Sequence, residues 1–440
     1  MILYTAYRVK IKRYNDIFKP TVMLYQKAAS WFLDVILTEW ESIGHLGGTK
    51  RNNLVEKLTV ATKKNPLPKH SFKDADADFY KMPAYLRRAA IAEALGMVSS
   101  YKSNEENDFQ KPGKPSVGDS MPAMYRDNMF VRTGTYTASI KVYIRNTWDW
   151  IDIDLRKSDV DYILHHCSDR KECVPTLRCR GKEWFLEFAF EEKVELEQAT
   201  LPQQRVLSVD LGINNSCVCS LLLSDGTILG REFLTLPREY DCLKHAIGRI
   251  KKAQQHGARR TPRLWAIAKG INDDIASKTA EFIMTTALRY EATTIVFEHL
   301  DLSRKKRGSK KQKLHLWKAR NVQAIVTTKA HRHGMRISRV NAWGTSALAY
   351  DGSGRVTRGT YLQNGEEKYN YSICVFPSGK QYHCDLNASY NIGARFFVRE
   401  IMKSLPETVR LDMEAKVPSC SKRSTCTLST LLNLHAELTA

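Results

Sequence analysis

The sequence has no apolar stretch of membrane-spanning length, and Met1-Ile2-Leu3-Tyr4 opens directly into a strand-like pattern. Neither a membrane partner nor a signal peptide is therefore expected. Acid is scarce: 47 Asp and Glu stand against 68 Lys and Arg, a formal charge of +21. An excess that large is foreign to an ordinary metabolic enzyme and points to a polyanionic partner, most simply nucleic acid. A ribosome-like or membrane-surface protein would share it. A disulfide framework is also missing, because the ten cysteines lie at irregular spacings. That usage fits a reducing compartment and a soluble intracellular protein.

What is present suffices for several domains. A chain of 440 residues with 43% apolar content can build two to four cores. Thr5 to Arg13 alternates apolar and basic residues, as a strand with one buried and one positive face would. Helical spacing follows from about Pro20 to Ser42, with Met23, Ala28, Phe32, Val35, Ile36 and Trp40 on one side, and again from Leu86 to Tyr101. Ser103 to Ser120 is polar and carries Pro112 and Pro115, so a loop is expected. Five strand-like runs then lie between Met129 and Phe190, which with the first strand suggest a small antiparallel barrel. Tyr143, Trp148 and Trp150 alternate there with basic residues, a pattern shared by barrel cores and by surfaces that stack nucleic acid. Glu191 to Gln204 is an acidic connector and the best boundary in the chain.

Beyond it, Arg205 to Asp210 is an apolar run that ends on a carboxylate and breaks at Gly212. Ser224-Asp225-Gly226 separates two further apolar runs, a strong hairpin signal, so Asp210 is placed on the first strand of a three-stranded meander. Helices are expected over Asp241–Gln255, Trp265–Tyr290 and Leu316–His333, and a strand over Met335–Val340. Thr293 to Leu300 repeats the design of the first carboxylate, with Glu298 at the end of a β-branched run. Parallel strands gather such end residues in one crevice, although a strand-end Glu alone more often faces solvent. Asp385 precedes a helix-forming run, where it is either an N-cap or the third member of a carboxylate site. Three acidic groups are a sufficient oxygen set for two hard cations on a phosphate substrate. Two basic runs flank these motifs. Arg249, Lys251, Lys252, Arg259, Arg260 and Arg263 form one, and Arg304, Lys305, Lys306, Arg307, Lys310, Lys311 and Lys313 the other. Such runs are usually solvated faces, but they also suit a phosphate backbone.

Asp-Leu-Gly-Ile-Asn, Ile-Val-Phe-Glu-His-Leu and Asp-Leu-Asn-Ala-Ser-Tyr-Asn-Ile, in that order, resemble the three motifs of the RuvC-like nuclease domain of TnpB proteins and miniature type V CRISPR effectors. Trp317, Lys329-Ala330, Gly334 and Thr345-Ser346 sit where that family has a helix, a strand and the start of its zinc module. The resemblance is close from Arg205 to Phe396 and loose before it. It implies an α/β RNase-H-like (RuvC) nuclease domain plus an N-terminal β-barrel (wedge) with an inserted helical recognition module. The implied division is 1–16 and 123–195 for the wedge, 17–122 for the recognition module, and 196–204 for a linker. Residues 205–344 and 383–402 form the nuclease domain, 345–382 its target-nucleic-acid insert and 403–440 a tail. That tail, with its apolar Leu428 to Leu438, is expected to be a disordered extension ending in a short helix.

The same resemblance implies an RNA-guided DNA endonuclease of the prokaryotic cytosol. Asp210, Glu298 and Asp385 would be its catalytic residues and the ligands of two Mg²⁺ ions, with guide RNA and target double-stranded DNA as partners. Some relatives of this size work as homodimers on one guide, others as single copies, and the residues do not choose between them. One departure stands out. Ala349, Gly352, Val375 and Ser378 occupy the positions of the family's four zinc cysteines, so a hairpin-like insert from Tyr350 to Tyr382 without zinc is expected. Two rivals remain: a guided DNA-binding protein with a vestigial site, and a guide-independent RNase-H-fold nuclease or transposase.

Overall fold

The computed structural model describes all residues except 15, 107–112, 114, 119, 126, 213–215, 301–317, 365 and 423. The chain divides into two compact units, Ile2–Lys193 and Val194–Ala440 with Met1. Among the described residues, the first unit holds β1 (Ile2–Lys12), β2 (Phe130–Arg132), β3 (Thr137–Ile144), β4 (Thr147–Leu155), β5 (Lys171–Glu172), β6 (Thr176–Arg180) and β7 (Glu183–Lys193).

The alternation read in the first strand is real: Leu3, Val9 and Ile11 are buried while Arg8 and Lys12 face water. β1 pairs antiparallel with β7 from Ile2 to Lys10, and then with β4 at Ile11 and Lys12. A strand shared between two ladders in this way bends the sheet. The pairing order is β2-β3-β4-β1-β7-β5, with β6 also on β7. Arg132 of β2 nevertheless forms an ion pair with Glu172 of β5 at 2.9 Å, so the two ends of that order meet. The sheet is curled. Arg145 and Asn146 both take positive φ between β3 and β4, the geometry a two-residue hairpin requires.

Helices Lys19–Thr38 and Ala84–Glu106 pack on each other between β1 and β2. Ala28, Phe32, Val35 and Ile36 are buried as their spacing predicts, but Met23 is 68% exposed. Ala84–Glu106 continues past Ser103, so helix covers the first residues expected as loop. Helix Lys157–His166 has no counterpart in the sequence reading. Its Val160 and Ile163 alone make a buried stripe, too short for a periodicity signal.

In the second unit, β8 (Val206–Asp210), β9 (Cys217–Leu222), β10 (Ile228–Leu234), β11 (Thr294–His299) and β12 (Arg336–Asn341) form a sheet ordered β10-β9-β8-β11-β12. The first three make the expected antiparallel meander, and β11 runs parallel to both β8 and β12. Gly226 sits at φ 88° in the β9–β10 turn, where Leu223 N–H donates to the Thr227 carbonyl. Helices Pro262–Arg289 and Ala319–Arg332 cover the face bearing Leu207, Val209, Ile295 and Phe297. Helix Cys384–Ser404 covers the other, where Val206, Val218, Leu222 and Val296 lie. A Cβ on Gly393 would meet Leu222 side-chain atoms at 2.9 and 3.0 Å, so glycine lets this helix close on the sheet.

Helix Cys384–Ser404 is buried on all sides from Leu386 to Val398. A helix buried all round needs cover on its outer face as well. Segment 405–440 supplies it, and the expectation of a disordered extension is corrected here. Helices Glu407–Lys416 and Leu428–Thr439 fold onto the domain, burying Met413, Leu428, Leu431 and Leu434. Each fully buried leucine contributes roughly 1.5–3 kcal/mol. Leu431→Ala should cost about 2–5 kcal/mol by chemical denaturation. Leu438→Ala, at 39% exposure, should stay within about 0.5 kcal/mol. Equal small effects would show a tail that does not pack.

Candidate active site

β8 and β11 are parallel, registered from Thr294 opposite Val206 to Phe297 opposite Val209. Asp210 and Glu298 are the next residue on each strand. Period-2 alternation then turns both side chains to one face, opposite to Val209 and Phe297 and toward helix Cys384–Ser404. That helix begins beside them. His383 is its N-cap, accepting from the Asp385 amide at 3.3 Å, and Asp385 occupies the first turn rather than the cap itself. All three carboxylates are half-buried.

Their electrostatics register the crowding. The Asp210 carboxyl is pushed well above the usual range, first by burial and then by the charges of Glu298 and Asp385, with Arg358 opposing. Burial raises Glu298 too, against a hydrogen bond from Thr345 and the charge of Arg395. Crowded anionic oxygens that resist ionisation suit a hard divalent cation, which would restore both carboxylates to the charged form. Among the described residues no group of three His, Cys, Asp or Glu side chains is already arranged around one ion position. The donor set fits such an ion in kind; its remaining ligands would come from elsewhere.

Three neighbours escaped the sequence reading as site residues. The Thr345 hydroxyl donates to Glu298. Arg358, on β13 (Thr357–Gln363), donates to the Ser346 carbonyl at 2.9 Å and brings positive charge toward Asp210. Arg395 is 4% exposed inside an apolar helical run, and that misplaced cation was the one legible signal.

The insert after Thr345 is a sheet of β13, β14 (Glu366–Val375) and β15 (Gln381–His383), in keeping with the expected hairpin. Ala349 and Cys374 are buried with Phe376 and Cys384 in a small core, joined by Tyr350 and Tyr382. The Tyr350 ring lies 5.4 Å from Phe376, 5.1 Å from Tyr382 and 5.3 Å from Tyr390 of the long helix. Lys380 donates to the Tyr350 hydroxyl at 2.6 Å, and the Cys374 thiol to the Tyr382 carbonyl at 3.3 Å. Rings and thiols thus pack the core of the insert.

Arg249, Lys251, Lys252, Arg259, Arg260 and Arg263 are all exposed, on helix Pro237–Gln255, the turn after it and the start of Pro262–Arg289. None is among the charges acting on Asp210 or Glu298, whose cationic neighbours are Arg358 and Arg395. Arg304, Lys305, Lys306, Arg307, Lys310, Lys311 and Lys313 lie outside the described residues, as does Trp317. Tyr143 and Trp148 pack together, whereas Trp150 is 39% exposed beneath Lys141. Among the described residues no helix is long and apolar enough to cross a membrane.

Comparison with known proteins by sequence concerns the N-terminal part of the chain, and comparison by structure most of it. Residues 5–144 match the model of the Aq_aa04 family. The chain is 29% identical over 148 residues to "Uncharacterized protein aq_aa04" of Aquifex aeolicus (strain VF5), covering 28% of this chain and 82% of that one. The family-model stretch lies within the first unit and carries none of the three carboxylates. In structure, the chain is similar to Cas12f1 in its complex with single-guide RNA and target DNA. The TM-score is 0.50 at 13% identity, over 86% of this chain and 81% of that chain. The crystal structure of Alicyclobacillus acidoterrestris C2c1 with single-guide RNA matches at a TM-score of 0.40 and 11% identity, over 86% and 70%. The structural neighbours are type V effectors, and the likeness is one of fold.

The protein as purified should contain well under one zinc per chain by elemental analysis, and chelation should leave its melting temperature unchanged. One zinc per chain would overturn the aromatic account of the insert.

Proposed function

We propose that this protein is an RNA-guided DNA endonuclease, a compact type V effector or a TnpB-like transposon nuclease. The observation that carries the reading is the parallel register that sets Asp210 beside Glu298, with Asp385 facing them from the start of the long helix. The second unit, with a parallel pair beside an antiparallel meander, is read as an RNase-H-like (RuvC) domain, and residues 345–382 as its target-nucleic-acid insert. The curled sheet of the first unit is read as a wedge, and the helices between β1 and β2 as a recognition module. The likeness to Cas12f1, solved with guide RNA and target DNA, supports the guided version over an autonomous nuclease. In such systems base pairing supplies sequence specificity, and the protein reads shape and a short flanking motif.

Asp210, Glu298 and Asp385 would hold Mg²⁺, which when bound supplies activation of water and stabilisation of the leaving 3′ oxygen. The chain's own residues prepare that centre. Thr345 holds one Glu298 oxygen by its hydrogen bond, which fixes the carboxylate's rotamer. Partial burial of Asp210 and Glu298 lowers the local dielectric and strengthens their interaction with any cation that enters. Arg358 adds a positive charge beside Asp210 suited to a phosphate oxygen.

Purification without nuclease treatment should yield a discrete RNA with a constant scaffold and a variable end. With that RNA, Mg²⁺-dependent cutting of matched DNA should fall on the order of 10³-fold in Asp210→Ala, Glu298→Ala or Asp385→Ala, about 4 kcal/mol of barrier. Target binding should persist in all three. RNA-free protein that cuts DNA with Mg²⁺ would replace the guided reading with the autonomous one. Tight guided binding with no cleavage in the unmodified protein would instead indicate a binding protein.

The exposed run on helix Pro237–Gln255 is proposed to touch the nucleic-acid backbone. Replacing Arg249, Lys251 and Lys252 by Gln should weaken binding on every target sequence alike. It should also flatten the slope of log K against log salt by roughly 0.7–0.9 for each phosphate no longer neutralised. An unchanged slope would leave these residues as a solvated face.

A further inference from the structure

One face of helix Cys384–Ser404, turned away from the sheet, carries Asn387, Asn391 and Arg395, each one turn further along, buried to 0%, 0% and 4% exposure. Buried polar groups at this spacing need partners, and all the hydrogen-bond partners of these three are backbone. Asn387 accepts from Tyr350 N–H and donates to the Leu348 carbonyl, both at 2.8 Å. Asn391 donates to the Thr345 and Leu348 carbonyls and accepts from Leu428 N–H. Arg395 donates to four carbonyls, those of Asn341 at 2.7 Å, Trp343 at 2.8 Å, Ser424 at 2.6 Å and Cys426 at 3.0 Å.

These carbonyls belong to two segments only. One is the stretch 341–350 that leaves β12 and delivers Thr345 to Glu298. The other is 424–428, the entry to the C-terminal helix. A buried guanidinium whose hydrogen bonds all go to carbonyls, four of them on two loops, is a clamp. Its position past the end of β12 sets where Thr345 stands, and Thr345 sets the rotamer of Glu298.

We propose that Arg395 is a positioning residue of the carboxylate centre, and that through it the C-terminal segment 424–428 is an integral part of the nuclease site. The inference rests on the nuclease reading above. It assigns to the last part of the chain a role in catalysis that its distance in sequence from all three carboxylates conceals.

The test is calorimetric Mn²⁺ binding to the full chain, with DNA cleavage measured alongside, for the unmodified protein, D210A/D385A, R395Q, R395K, T345V and R395Q/T345V. Binding lost in D210A/D385A places the ion on the carboxylates; no difference there overturns the nuclease reading and this inference with it. Given that loss, R395Q should weaken Mn²⁺ at least tenfold, the usual effect of removing a group that orients metal ligands, and R395K should recover part of it. T345V should show a comparable loss, and R395Q/T345V should fall well short of the sum of the two, because the positioning effect of Arg395 on Glu298 runs through Thr345. Unaltered Mn²⁺ affinity in R395Q, or in R395K should R395Q fail to fold, overturns the positioning role while leaving the nuclease reading intact. Losses that add in the double variant overturn it equally.

Discussion

Asp210 and Glu298 stand together because two adjacent strands run parallel and are registered through Val209 and Phe297, one residue short of each carboxylate. A slip of one residue would turn one of the two side chains to the opposite face of the sheet. The apolar halves of both strands enforce the register, since Val206 to Val209 and Thr294 to Phe297 are wholly buried. Burial first, and then the charges of Glu298 and Asp385, resist ionisation of Asp210, while burial resists that of Glu298. The hydrophobic supports thus hold acidic groups where their charged form is disfavoured, an arrangement that favours capture of a cation.

Helix Cys384–Ser404 joins the parts. It brings Asp385 to the strand ends, presses Gly393 on the sheet, anchors the insert through Tyr390 and grips two loops through its polar row. Burial on every side makes it dependent on the C-terminal helices, whose leucines close its outer face. Ser220 and Ser389, hydrogen-bonded at 2.6 Å in the interior, show the same economy of small side chains where helix and sheet approach closely.

A three-stranded sheet the size of the insert has little core of its own. It borrows one from the main helix through a ring cluster in which Tyr350 touches Phe376, Tyr382 and Tyr390. The first unit has an extensive core of its own, and its sheet is curled by β1 pairing in two ladders, with Arg132 and Glu172 joining its ends.

Much of this was determined locally and could be read from the residues. Alternation in Ile2–Lys12, the Asp225-Gly226 turn and the β-branched run before Glu298 are short-range signals, and the elements formed where those signals placed them. The three carboxylates were legible because each ends or begins an element, where a side chain leaves a packed interior. Other features depended on partners far along the chain. Asp385 resembled an N-cap, yet His383 took that position. Met23 had the spacing of a buried residue but lay on the side the neighbouring helix does not cover. The C-terminal leucines read as a short helix, which formed, but its packing could not be read because the face it covers belongs to another helix. Thr345, Arg358 and Arg395 carried no motif, for their roles arise only when the loop after β12, the insert and the long helix converge. Sequence alone determined which strand and helix ends bear the candidate carboxylates; tertiary structure decided what surrounds and holds them, because packing and hydrogen bonding between distant segments leave no local period to read.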